Sequence, residues 1–151
     1  MNSQFPIKPI EILLVEDSPS DALLTKRALA DARLINRLHI VEDGVQAMAF
    51  LHREPPYTEM VRPDLVLLDL NLPKKNGAEV LAEMKADDEL KVIPVVVLTT
   101  SRADEDVLKS YQLHANCYVV KPVDFASFAE AIGILEKFWF AVVTLPKQIP
   151  K

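Results

Sequence analysis

The sequence predicts a doubly wound parallel α/β sandwich, on three observations. Short apolar segments alternate with segments of helical period, about five of each. Val92–Leu98 (VIPVVVL) is almost wholly apolar, as a central strand covered on both faces must be. The chain of 151 residues is about one domain long, and no repeat, low-complexity stretch or linker interrupts the alternation. Right-handed crossovers between parallel strands then leave one sheet with helices on both faces.

Each element has its own signal. Glu11–Glu16 (EILLVE) is a short run of strand formers. Ser18, Pro19 and Asp21 supply an N-cap, a first-turn proline and an acid three residues after the cap. The helix they start carries Leu24, Ala28, Leu29 and Ala32 on one face. Leu38–Val41 is the second strand. Asp43 and Gly44 end it, and Val45, Met48, Ala49 and His52 recur at helical spacing. Arg53–Pro63 holds three prolines and two acids and predicts a loop. Asp64–Leu68 is the third strand, ending at Asp69. A loop, Leu70–Gly77 (LNLPKKNG), leads to a helix over Ala78–Ala86 whose Val80, Leu81 and Met84 face inward. After the fourth strand, Asp104–Leu113 is helical by Val107, Leu108 and Tyr111. Cys117–Val120 is the fifth strand, and Asp124 caps a long last helix that Leu145 and Pro146 end.

Composition narrows the function. Half the residues are hydrophobic and 26% are charged, which suits one sizeable core. Lys and Arg number 17 against 22 Asp and Glu, a net charge of -5. A nucleic-acid binder would show a basic balance or stripe, so direct nucleic-acid contact is not expected. The longest apolar runs fall well short of the roughly 20 residues a membrane span needs. The N-terminus lacks a secretory pattern, and a cytoplasmic protein is expected. One cysteine, Cys117, excludes an internal disulfide framework and a cysteine-based zinc site, and it is expected to be a small buried strand residue. His39, His52 and His114 lie far apart, so no zincin-type cluster exists.

In a doubly wound sheet, ligands sit outside the carboxyl ends of the strands. Those ends here carry Glu16 and Asp17, then Asp69, then Thr99 and Thr100, then Lys121. Each residue alone has an ordinary explanation as a turn acid, a cap, a β-branched strand residue or a surface charge. Together they make a chemical set. Carboxylates held close repel one another unless a cation joins them. Mg²⁺ (or Mn²⁺), a hard ion that takes oxygen ligands, is the natural candidate. A lysine and a hydroxyl opposite the acids suit a transferred phosphoryl group, and a carboxylate can itself be the nucleophile.

In LLVEDSPSD (13–21), LVLLDLNLPKKNG (65–77), PVVVLTTS (94–101) and YVVKP (118–122), the chain resembles the receiver domain of bacterial two-component response regulators. The resemblance implies a flavodoxin-like fold with strand order 2-1-3-4-5 and five helices, over a receiver domain at 8–136. It implies that Asp69 is the phosphoacceptor, that Asp17 and Asp69 ligate the metal directly, that Glu16 acts through a metal-bound water, and that Asn71 offers its backbone carbonyl. Thr99 and Lys121 would contact the phosphoryl oxygens, and Thr99 and Tyr118 would be the switch pair. The Lys121–Pro122 bond would be cis. Asn76 stands where many members have Asp, which leaves the left-handed-compatible turn at Lys75-Asn76-Gly77 intact. Thr100 stands where many have Ala or Gly, which bears on access to Asp69. The implied activity is acceptance of a phosphoryl group from a sensor histidine kinase, with no turnover of an independent metabolite. Rivals are a dehalogenase-like phosphatase with an aspartyl nucleophile, and a nucleotide or flavin module. The first usually places paired aspartates two apart after its first strand. The second needs a glycine- or hydroxyl-rich phosphate loop there, and Gly44, Gly77 and Gly133 all lie elsewhere.

No output module is expected after the last helix. Residues 137–151 instead extend it and add a proline-containing tail. That ending, the LTTS stretch and the loop at 53–63 are similar to cyanobacterial phytochrome-associated response regulators, which implies a phytochrome-type kinase as donor. Phe125, Phe128, Ile132, Leu135 and Trp139 form one apolar stripe for the sheet. Ala131, Ile134, Phe138, Ala141 and Val142 form a second, which predicts a homodimer through Ile134, Phe138, Ala141 and Val142. The alternative cover for that stripe is the tail Thr144–Lys151 folding back.

Overall fold

The computed structural model describes residues 9–31, 35–100, 117–121, 123, 126 and 130. They form β1 (Ile10–Val15), α1 (Pro19–Asp31), β2 (Asn36–Val41), α2 (Gly44–Leu51), β3 (Leu65–Asp69), α3 (Gly77–Ala86), β4 (Val95–Thr99) and β5 (Cys117–Val120). Every strand pair is parallel, and the order is β2-β1-β3-β4-β5. This is the doubly wound, flavodoxin-like arrangement. The expected helix at Asp104–Leu113 falls outside the described residues, as do all of the helix expected after Asp124 but Ala126 and Glu130, the Lys121–Pro122 bond and the side chain of Cys117.

Two apolar layers hold the sheet. On one face, Ala47, Met48, Phe50 and Leu51 of α2 and Val80, Leu81 and Met84 of α3 pack on Leu13, Val15, Val66, Leu68, Val95 and Val97. On the other, Ala22, Ala28 and Leu29 of α1 pack with Val123 on Ile12, Leu14, Leu65, Leu67, Val96, Leu98 and Val119. Successive strand residues point to opposite faces. A strand feeding both layers must therefore be apolar throughout, and β3 and β4 are buried at every position.

The strand boundaries shift by a few residues from the expected ones. β4 begins at Val95 rather than Val92, because Pro94 has no N–H for a ladder and Val92 is 60% exposed. The helix faces differ more. In α1 the buried face is Ala22, Thr25, Ala28 and Leu29, while Leu24 is exposed. The small alanines let this helix lie close to the sheet, and that choice turns Leu24 outward. In α2, Val45 and His52 are exposed, and the larger Phe50 and Leu51 take the core. This helix ends in a Schellman turn, with the Glu54 N–H donating to Ala49 O at 2.8 Å, the Arg53 N–H donating to Phe50 O at 3.1 Å, and φ 56° at Arg53. The segment after it is irregular, as expected, but it adds to the core. Tyr57 and Met60 pack on the α2/α3 layer, and the Tyr57 and Phe50 rings lie 5.4 Å apart. Among the described residues no helix is long and apolar enough to cross a membrane.

The corrected face of α1 gives a direct test by urea denaturation. Leu29→Ala is expected to cost about 2–5 kcal/mol, the range for a buried leucine. Leu24→Ala is expected to cost less than about 1 kcal/mol, as exposed positions do. Equal losses would place Leu24 in the core instead.

Candidate metal and phosphoryl site

The strand order determines which residues meet. β1, β3, β4 and β5 are consecutive in the sheet, so Glu16 and Asp17 after β1, Asp69 and Thr99 at the ends of β3 and β4, and Lys121 after β5 share one edge. Carboxylate oxygens of Glu16, Asp17 and Asp69 lie within 4.8 Å of one another. Glu16 and Asp69 are buried, and Asp17 is exposed. Three hard oxygen donors, one open to solvent, suit a small divalent cation that keeps some of its waters.

Lys121 closes the other side of the cluster. Its Nζ donates to Asp69 Oδ2 at 3.1 Å and lies 3.0 Å from Glu16 Oε1 and 2.9 Å from Asp21 Oδ2. The contact with Glu16 is an ion pair without a directed hydrogen bond, since Oε1 has no hydrogen-bond partner. Burial works against the ammonium charge, but Asp21, Glu16 and Asp69 outweigh it and hold the lysine above its ordinary pKa. Asp21 was missed by sequence reasoning as a member of the site. Its place three residues after Ser18 looks like a helix-start acid, and the Asp21 N–H does donate to Ser18 Oγ at 3.3 Å. The available signal was its position on the first turn after β1, which faces the same sheet edge.

The remaining groups orient the acids. The Asn71 N–H donates to Asp69 Oδ1 at 3.0 Å, so both Asp69 oxygens are engaged. The Ser18 N–H donates to Glu16 Oε2 at 3.2 Å. Thr99 is fully buried, and its Oγ1 has no hydrogen-bond partner. An unpaired buried hydroxyl costs roughly 1–3 kcal/mol, which an incoming ligand oxygen would recover. Tyr118 is half-buried against the α2/α3 layer. Its register partner is Val97, two residues before Thr99, so Tyr118 and Thr99 belong to the same sheet face. Thr100 is exposed. The expected dimer residues Ile134, Phe138, Ala141 and Val142 fall outside the described residues.

The loop from β3 to α3 needs one correction. The left-handed residue is Lys74 (φ 66°), whereas Asn76 is extended (φ -79°, ψ 172°). Asn76 instead caps α3 in a reciprocal box with Glu79, each accepting the other's backbone N–H at 2.9 Å. Gly77 is needed for space, since a Cβ there would lie 2.4 Å from the backbone oxygen of Asp69.

Burial, then the neighbouring Asp69 carboxyl, pushes Glu16 from its usual 4.5 up to about 7. Between those values the folded chain binds the extra proton, so this group's contribution to stability falls as pH rises from about 4.5 through about 7. Glu16→Gln removes the penalty. In chelator, thermal melts are expected to show the variant gaining on the wild type between pH 5 and pH 8. A constant difference across that range would contradict the crowding of Glu16.

The response regulator receiver domain model matches residues 12–133. Response regulator Rcp1 of Synechocystis is 49% identical over 138 residues, covering 91% of this chain and 94% of that protein. The solved Mn²⁺-bound form of Rcp1 superposes with a TM-score of 0.73 at 49% identity, over 91% of this chain and 99% of that one. The phosphorylated cyanobacterial phytochrome response regulator RcpA gives 0.74 at 47% identity, over 92% and 99%. The bacteriophytochrome response regulator RtBRR gives 0.80 at 46% identity, over 85% of this chain and 78% of that one. With the family model spanning most of its length and Rcp1 matched over 91% of this chain and 94% of its own, the chain belongs to the receiver-domain family of response regulators.

Proposed function

We propose that Asp69 accepts a phosphoryl group from a phosphohistidine on a sensor kinase of phytochrome type, and that this changes a protein-interaction surface. The observation that carries the reading is the convergence of Glu16, Asp17, Asp69 and Lys121 at one sheet edge, with the unpaired Thr99 hydroxyl on the adjoining strand. The phytochrome-linked names of the relatives support the choice of donor.

The residues divide the chemistry. An Asp69 carboxylate oxygen attacks phosphorus, the O–P bond forms as the P–N bond of the donor breaks, and the imidazole nitrogen keeps that electron pair. Asp17 and Asp69 would hold Mg²⁺ or Mn²⁺ by carboxylate oxygens, Asn71 by its backbone carbonyl, and Glu16 through a water. The Mn²⁺-bound form of Rcp1 supports a divalent ion as the bound metal. The ion, when bound, neutralises the crowded acids and the phosphoryl oxygens. Lys121 transfers its ammonium contact from the carboxylates to a phosphoryl oxygen, and the Thr99 hydroxyl binds another. Tyr118, on the same sheet face, follows Thr99 and moves the surface around β5. Water later cleaves the acyl phosphate, so the protein processes its own modification and no separate metabolite. The setting is cytoplasmic, and the net charge of -5 argues against direct nucleic-acid binding.

Incubation with a phytochrome-type histidine kinase, labelled ATP and Mg²⁺ is expected to label the wild type. Asp69→Asn and excess chelator are expected to abolish the label, and Asp17→Asn to weaken Mg²⁺ binding more than Glu16→Gln. Wild-type labelling of Asp69→Asn would overturn the assignment.

On this reading the receiver unit spans residues 8–136 and 137–151 extend it, and the self-association face of Ile134, Phe138, Ala141 and Val142 runs across that boundary. Sedimentation is expected to find a dimer that Phe138→Glu splits into monomers. A wild type that is monomeric with and without phosphorylation would refute the dimer.

A further inference from the structure

We propose that the ion pair of Asp43 and Lys74 is a clasp that positions the β3–α3 loop on Asp69, which makes both of them positioning residues for metal binding and phosphoryl acceptance. The proposal rests on Asp69 being the acceptor. Neither side chain is among the acids and lysine gathered at the strand ends.

Asp43 is 4% exposed and caps α2, its Oδ1 accepting the Gln46 N–H at 2.8 Å. Capping needs only an oxygen, which serine, threonine or asparagine supplies as well. A buried carboxylate adds a desolvation cost that a cap alone does not justify. Among the described residues its paired cation is Lys74, whose Nζ lies 3.5 Å from Asp43 Oδ2. Lys74 in turn holds a left-handed backbone (φ 66°) that glycine or asparagine would adopt with less strain. Neither of those carries the ammonium. Lys74 thus keeps a charged side chain where an uncharged one suits the local backbone better, and Asp43 gives that charge a buried partner.

The clasp joins two turns that already touch. A Cβ placed on Gly44, next to Asp43, would lie 2.0 Å from the backbone oxygen of Lys75. Lys75 is ion-paired with Glu83 of α3, and the Gly77 N–H donates to Leu70 O at 3.0 Å. The loop is therefore tied to α2 on one side and α3 on the other. Its first residues carry the Asn71 N–H that holds Asp69 Oδ1, and the Asn71 carbonyl belongs to the next peptide unit. Releasing the α2 side frees the segment that orients the acceptor.

The test uses the full chain, Mg²⁺ titration by calorimetry, and phosphorylation by phosphoramidate. Asp43→Asn keeps a capping oxygen and drops the charge. Lys74→Gly relaxes the backbone and drops the charge, and Lys74→Arg keeps the charge. Asp43→Asn and Lys74→Gly are each expected to weaken Mg²⁺ binding and slow phosphorylation about two- to fivefold, the range of a half-exposed ion pair. Lys74→Arg restores both, and the double variant is no worse than either single one. An undiminished melting temperature for Lys74→Gly separates positioning from loss of fold. Wild-type Mg²⁺ affinity in Lys74→Gly, or losses that multiply in the double variant, would overturn the clasp. If the wild type takes no phosphoryl group while the Mg²⁺ pattern holds, the acceptor reading fails and the clasp on the metal loop stands.

Discussion

The ammonium of Lys121 lies within about 3 Å of oxygens from Asp69, Glu16 and Asp21. Without a cation, acids this close and this buried would repel one another and shed charge by taking up protons. Glu16 shows the strain that remains, its carboxyl pushed to about 7. The rest of the architecture serves this contact. Parallel pairing in the order β2-β1-β3-β4-β5 points every strand the same way, so the ends of β1, β3, β4 and β5 meet at one edge. The two apolar layers make the strands rigid enough to hold charges there.

The site gives up stability for function in particular places. The Thr99 hydroxyl is buried without a partner, Glu16 is buried with its pKa displaced, and Lys74 holds a left-handed backbone. Each costs on the order of 1 kcal/mol or more. The fully buried side chains of β1, β3 and β4, each worth about 1.5–3 kcal/mol, supply the margin. In the proposed function a phosphoryl oxygen would give Thr99 a partner and a divalent ion would relieve Glu16, so the modified state would be favoured where the resting state is strained.

The fold was legible because period-two burial on both faces leaves an unmistakable record: β3 and β4 are apolar at nearly every position, and the loop from β3 to α3 holds a proline and an asparagine–glycine pair. The site was legible because strand ends are where such a sheet binds ligands, and Asp17, Asp69, Thr99 and Lys121 each stand at one. Helix faces were harder to place. Leu24 and Val45 looked like core by residue type, but close packing favoured the alanines of α1 and the larger Phe50 and Leu51 of α2. Asp21 was hidden because an acid in a first helical turn has an ordinary capping explanation. The left-handed turn fell on Lys74 rather than at Asn76 because asparagine's oxygen was needed to cap α3. Such choices depend on contacts between elements distant in sequence, which periodicity does not record.

The central claim is that crowded carboxylates, balanced by Lys121 and relieved by a divalent ion, govern this site. Carbon-13 NMR of the Glu16 side-chain carboxyl as a function of pH tests it most directly. Without metal, Glu16 should titrate near 7, and saturating Mg²⁺ should move its midpoint well below that. A Glu16 midpoint near 4.5 that Mg²⁺ leaves unchanged would contradict the account.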